Sequence, residues 1–207
     1  MQDVPTIDDA IAFLHANLCG TIRFESEFRP IKIVVQPDGK LVASVMSAML
    51  QSFDTTLYLP DENESGLHLE VSLEEFQPKG DDALLCDRWQ IYHGEPPDVR
   101  WARISIDAAR FAGLFLDGDA LMLANPLAEC SSKVLREVNA DKVSLRRFCA
   151  EHAGMEIDEP VLVGVDAYGF DVRRAFDVIR IPSEDLLENE ADLREELRRR
   201  GFSLGAR

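Results

Sequence analysis

The chain has 207 residues, 46% of them apolar, and a formal charge of −16. That apolar share can bury a core, which excludes wholesale disorder, while the acidity argues against a nucleic-acid surface, which needs a basic stripe to displace counterions. No uncharged apolar run reaches the roughly eighteen residues of a membrane span, and Met1-Gln2-Asp3-Val4-Pro5 lacks the parts of a secretory signal, so the expected location is the cytoplasm.

Thr6 reads as an N-cap, with Asp8 and Asp9 in the first turn, and Ile7, Ala10, Ile11, Leu14 and Leu18 recur at helical spacing before Gly20. From Ile22 the pattern changes to short strands. Ile31–Val35 and Leu41–Met46 flank Pro37-Asp38-Gly39-Lys40, whose Asp-Gly pair suits a tight hairpin. Thr55–Leu59 is a third strand, closed by Pro60 and an acidic loop, and Leu67, Leu69, Val71 and Leu73 then alternate with polar residues. Arg88–His93, Arg100–Ile106, Leu114–Leu116 and Ala120–Leu123 are read as further strands, and Asp107–Phe111 as a single helical turn. Many short strands with no helix of crossover size between them predict an antiparallel barrel.

Asn125-Pro126 ends the strand pattern. Leu127, Cys130, Val134, Leu135 and Val138 form a helical stripe, and Leu145, Phe148, Cys149 and His152 a second one before Gly154. Val161–Val165 and Phe176–Ile181 read as strands around the turn Asp166–Asp171, and Pro182-Ser183 as the start of a last helix carrying Leu186, Leu187, Leu193 and Leu197. The expected fold class is therefore α+β: residues 1–126 a barrel domain with an N-terminal helix, and residues 127–207 a small helical α+β domain.

The four cysteines, Cys19, Cys86, Cys130 and Cys149, show no metal-ligand spacing and read as reduced thiols. Asp166, Gly169 and Asp171 do not have the length of a calcium loop, so no metal site is expected. No set of residues for catalysis emerges.

Val138-Asn139-Ala140-Asp141-Lys142, then Gly164-Val165-Asp166-Ala167-Tyr168-Gly169-Phe170-Asp171, then Arg180-Ile181-Pro182 resembles a small domain of unknown function. That domain follows a split β-barrel like that of pyridoxamine 5′-phosphate oxidases, and Asp87–Gly94 and Ala108–Gly118 resemble a divergent second half of such a barrel. The resemblance implies a homodimeric antiparallel split barrel followed by the α+β domain. Relatives of this order include flavin-binding oxidoreductase-like proteins, bacterial haem-utilisation proteins and a plant protein that binds glutamyl-tRNA reductase. Three departures weaken the cofactor readings. Lys142 stands where the motif has histidine, and the tail from Gly201 holds no histidine for haem. Moreover, Leu41–Met46 and Thr55–Leu59 carry no basic residue for a flavin phosphate.

The stretch richest in polar and aromatic residues is Asp87–Gly94. Arg88, Trp89, Tyr92 and His93 suit either a pocket for a small flat ligand, with Arg88 on an anion, an aromatic stack and His93 as ligand or acid/base, or the core of a dimer interface. The resulting expectation is a homodimeric, cofactor-poor binding or regulatory protein. An FMN-dependent oxidoreductase is the alternative, and a haem-binding or haem-degrading protein the third reading.

Overall fold

The computed structural model of the chain describes residues 4–175 and 177–204. It divides into two compact units, Met1–Ala124 and Asn125–Arg207. The first contains α1 (Ile7–Ala16), β1 (Cys19–Phe24), β2 (Glu27–Val35), β3 (Leu41–Val45), β4 (Thr55–Leu59), β5 (Leu67–Phe76), α2 (Asp82–His93), β6 (Arg100–Phe111) and β7 (Leu114–Asp117). The strands run β3-β2-β1-β4-β5-β6-β7, and a β3–β6 pairing closes the first six into an antiparallel barrel. Ile22, Ile33, Leu41, Leu57, Leu69 and Ile104, one from each strand, are fully buried in its interior.

Local chemistry explains the elements that the sequence announces. Thr6 and Asp9 form a capping box: the Asp9 N–H donates to Thr6 Oγ1 (3.2 Å), and the Thr6 N–H donates to the Asp9 carboxylate (2.8 Å). The Thr6 hydrogen bonds hold the Asp9 carboxyl below its usual range. In the β2–β3 hairpin, Gly39 adopts φ 87°, and a side chain there would collide with the Met122 backbone.

Four expectations are corrected. Arg88–His93 is the last half of helix α2, not a strand. Leu84 and Ile91 are 66% and 48% exposed on the side opposite Trp89, so α2 has no single apolar stripe and its Arg-Trp-Gln-Ile alternation imitates a strand. Asp107–Phe111 is no helical turn but continues β6. Glu70 pairs with Ala108 and Val71 with Ile106, which leaves Asp107 as the extra residue of a bulge. Ala120–Leu123 is not a strand: Asp117 accepts the Asp119 N–H (3.0 Å) and starts a 3-10 turn over Gly118–Ala120. Pro182-Ser183 does not open the last helix, because the Ser183 N–H is drawn to the Tyr168 carbonyl (3.0 Å) and Asn189 caps the helix instead.

The second unit contains α3 (Ala128–Ala140), α4 (Lys142–Ala153), β8 (Val161–Asp166), β9 (Gly169–Arg173), β10 (Val178–Pro182) and α5 (Glu190–Arg199). The expected strand start at Phe176 lies outside the described residues. The sheet order is β10-β9-β8, and Val138, Leu145, Phe148, Phe170, Val172 and Leu193 belong to its core.

The residues that carried the resemblance have structural tasks in this unit. Asn139 pairs with β8 as a neighbouring strand would: its Oδ1 accepts the Leu162 N–H (2.9 Å) and its Nδ2 donates to the Leu162 carbonyl (2.8 Å). Asp141 caps α4 through the Ser144 N–H (3.0 Å), which lowers its carboxyl pKa, and Lys142 donates to the Pro160 carbonyl (3.3 Å). Asp166 accepts the Tyr168 N–H (2.8 Å), as a turn aspartate should. Asp166 and Asp171 both grip Arg180, a partner the sequence did not suggest.

Candidate functional site

Helix α2 lies against β2 where that strand changes partners. Ile33 faces β1, since its N–H donates to the Leu18 carbonyl (2.9 Å), and Val35 has the same parity. The chain before Cys19 is no longer strand, so the carbonyls of Ile33 and Val35 lose their ladder partner. His93 Nε2–H donates to Ile33 (2.8 Å) and Arg88 Nε–H to Val35 (3.3 Å). On the other edge the β3 register stops at Ile33, and Trp89 Nε1–H takes the next carbonyl, that of Lys32 (2.9 Å).

The structure therefore does bring Arg88, Trp89, Tyr92 and His93 together, but inward, onto the barrel. Trp89 is 1% exposed and meets Trp101 edge-on at 5.5 Å and His93 at 4.9 Å between ring centroids. Arg88 donates to the Tyr92 hydroxyl (3.3 Å) with its guanidinium 5.3 Å over that ring. Arg103 holds the first turn of α2 through Asp82 and lies 4.6 Å over Phe76. In this arrangement these side chains satisfy barrel carbonyls and fill the space beneath the helix.

A second group lies on the outward barrel face. Pro30, Thr21, Tyr58, His68, Arg110 and Phe115 are successive cross-strand partners over β2, β1, β4, β5, β6 and β7. Tyr58 lies between Phe28 (6.3 Å, stacked) and His68 (4.9 Å, edge-on). His68 Nε2 sits 2.7 Å from the Asn63 carbonyl, which can only accept, so this nitrogen carries the proton. Nδ1 then accepts from Arg110 (2.8 Å). Beside the row, Arg23 makes a two-pronged pair with Asp54 (2.8 and 2.9 Å) and donates to Thr56 (2.8 Å). The Asp54 hydrogen bond raises the Arg23 pKa further and lowers that of Asp54.

This row is not legible in the sequence because it exists only through strand register. Its signal is the outward parity of Tyr58, His68 and Arg110, which alternation alone does not align.

Chemically, the row offers aromatic faces and guanidinium donors. Neither imidazole nitrogen of His68 is directed at a nucleophile. Among the described residues no cluster of three His, Cys, Asp or Glu side chains could hold a metal ion, and no helix is long and apolar enough to cross a membrane. The thiols of Cys86 and Cys149 are pushed up to about 11 by burial, with Asp87 and Asp82 adding to the effect at Cys86, so neither is an activated nucleophile.

No protein-family model and no curated protein matches the chain. Among solved structures, the crystal structure of Atu2129, a protein of unknown function from Agrobacterium tumefaciens, is similar over 96% of this chain and 97% of its own. Its identity is 16% and its TM-score 0.72. The likeness supports the fold: a closed six-stranded antiparallel barrel with helices, consistent with a split barrel. The structure of a heme binding protein from Mycobacterium smegmatis aligns over 97% of this chain and 100% of its own at 16% identity, with a TM-score of 0.44.

Proposed function

We propose that the chain is a cytoplasmic, homodimeric and cofactor-poor binding or regulatory protein of the split-barrel group, with its domain boundary near residue 126. One observation carries this reading: of the residues best equipped for a cofactor pocket, Arg88, Trp89 and His93 hold α2 to β2 and Tyr92 is buried beside Arg88, while an aromatic and cationic row stays on the outer barrel face. That row suits a protein surface or a small flat ligand.

A flavin fits poorly. Its phosphate is a dianion and needs charge-assisted donors, yet β3 and β4 carry no lysine or arginine and Arg23 is already paired with Asp54. A haem held by His68 or His93 needs an imidazole nitrogen aimed at iron, and both His68 nitrogens and His93 Nε2 are in hydrogen bonds. Fold likeness does not reverse these points, since one barrel serves many functions.

The experiment is purification of the whole chain followed by visible absorption and light scattering. A colourless dimer is expected. Stoichiometric flavin or haem co-purifying with the protein would overturn the cofactor-poor reading, and a monomer at every concentration would overturn the dimer.

A further inference from the structure

We infer that His68 and Arg110 form a proton-operated latch on the outer barrel face: neutral His68 holds Arg110, and protonated His68 releases it toward Glu70 and Asp117. The latch needs neither a ligand nor a second copy, so it holds whether or not the outer row binds anything.

The resting state follows from the partners of the ring. A guanidinium only donates, so the 2.8 Å contact between Arg110 Nη2 and His68 Nδ1 requires a lone pair on that nitrogen. A backbone carbonyl only accepts, so the Asn63 oxygen 2.7 Å from Nε2 requires the proton there. Neutral imidazole with its proton on Nε2 meets both demands. A second proton has one place to go, Nδ1, where it turns the acceptor of Arg110 into a donor. The Arg110 hydrogen bond therefore exists above the pH at which His68 titrates and is lost below it.

The same proton leaves the other side of the ring unchanged. Imidazolium still donates to Asn63, whose place is fixed by its own turn: Asn63 Oδ1 accepts the Ser65 N–H (3.0 Å) and hydroxyl (2.8 Å), and its carbonyl also accepts the Gly66 N–H (3.2 Å). Tyr58, only 9% exposed, packs edge-on against the ring at 4.9 Å. His68 is thus held in place, and Arg110, which is exposed, is the partner that moves.

The sheet gives the released guanidinium a second position. Next to the Tyr58–His68–Arg110–Phe115 row on the outer face runs the row Thr56–Glu70–Ala108–Asp117. Glu70 and Asp117 are exposed and diagonal to Arg110, and diagonal neighbours stand about 7–8 Å apart, within reach of an arginine. Other charged groups beside the site are Arg23 on β1, which touches Tyr58 and is held by Asp54, and Asp61, Glu62 and Glu64 in the loop around Asn63. pH then sets which cation the outer row presents: Arg110 drawn onto His68, or an imidazolium with Arg110 displaced.

The test is solution NMR of the full-length chain from about pH 8 to about pH 5, the span in which histidine ordinarily titrates. Proton–nitrogen correlations of the ring should show the Nε2–H tautomer of His68 at the upper end. As His68 takes up its proton, nuclear Overhauser contacts between its ring and the Arg110 side chain should be lost on the same curve. In His68→Gln, which keeps an acceptor and cannot titrate, that curve should vanish from the Arg110 signals. An Nδ1–H tautomer, a His68 that stays neutral down to about pH 5, or an Arg110 response that persists in His68→Gln would overturn the latch.

Discussion

Replacing Arg180 with methionine is expected to destabilise the second unit by about 3–5 kcal/mol, because it leaves buried carboxylates without their cation. The side chains of Arg180, Asp166 and Asp171 are 8%, 11% and 8% exposed, and the guanidinium donates to Asp171 (2.8 Å) and to Asp166. Burial alone would lower the Arg180 pKa, but Asp171 and Asp166 outweigh it and hold it above its ordinary value. The pair also fixes the hairpin: β10 returns beside β9, with Arg180 opposite Asp171, and any side chain at Gly169 would collide with the Ile181 carbonyl. Urea unfolding of the full chain measures the loss. Adding Asp166→Asn and Asp171→Asn to Arg180→Met should recover part of it, since the uncompensated charges go too. An Arg180→Met variant within about 0.5 kcal/mol of wild type, the range of an ordinary surface substitution, would contradict the role given to this cluster.

The second large effect is expected at Trp89. Truncation to alanine should cost about 3–5 kcal/mol, from lost burial and the cavity left between α2 and the barrel. Phenylalanine should retain most of the packing against Trp101 but strand the Lys32 carbonyl, at about 1–3 kcal/mol. The Trp89→Ala loss should be accompanied by faster amide exchange throughout α2, because His93 and Arg88 hold the same helix to the next carbonyls of β2. If Trp89→Ala unfolded at the wild-type urea midpoint, Trp89 would not be the residue that anchors α2.

These two positions mark the limits of what the sequence could reveal. Signals carried by neighbouring residues were legible: the Thr6–Asp9 cap, the Asp38-Gly39 turn and the alternation from Leu67 to Leu73 each specify their own element. Helix α2 was not, because its exposed Leu84 and Ile91 oppose Trp89 and no periodic stripe results. The Asp107 bulge was hidden for a related reason, since one inserted residue breaks the period of two that would have marked β6 as continuous.

Contacts set by tertiary register were illegible in principle. Arg180 meets aspartates nine and fourteen residues earlier only because the hairpin folds back. Tyr58, His68 and Arg110 align only once β4, β5 and β6 are in register. The candidate residues Arg88, Trp89, Tyr92 and His93 do lie together, on one side of α2. Their direction depended on where β2 loses its strand partners, which no local pattern records.

The central claim is that this aromatic and basic group holds a helix rather than a cofactor. The chain has two tryptophans, Trp89 and Trp101, both buried and in contact beneath α2, so their fluorescence reports on that location. Titrating the purified full-length chain with flavin mononucleotide and, separately, with haemin is the most direct measurement. The account predicts emission typical of buried indole and no saturable quenching by either compound. Saturable quenching at one ligand per chain would contradict it.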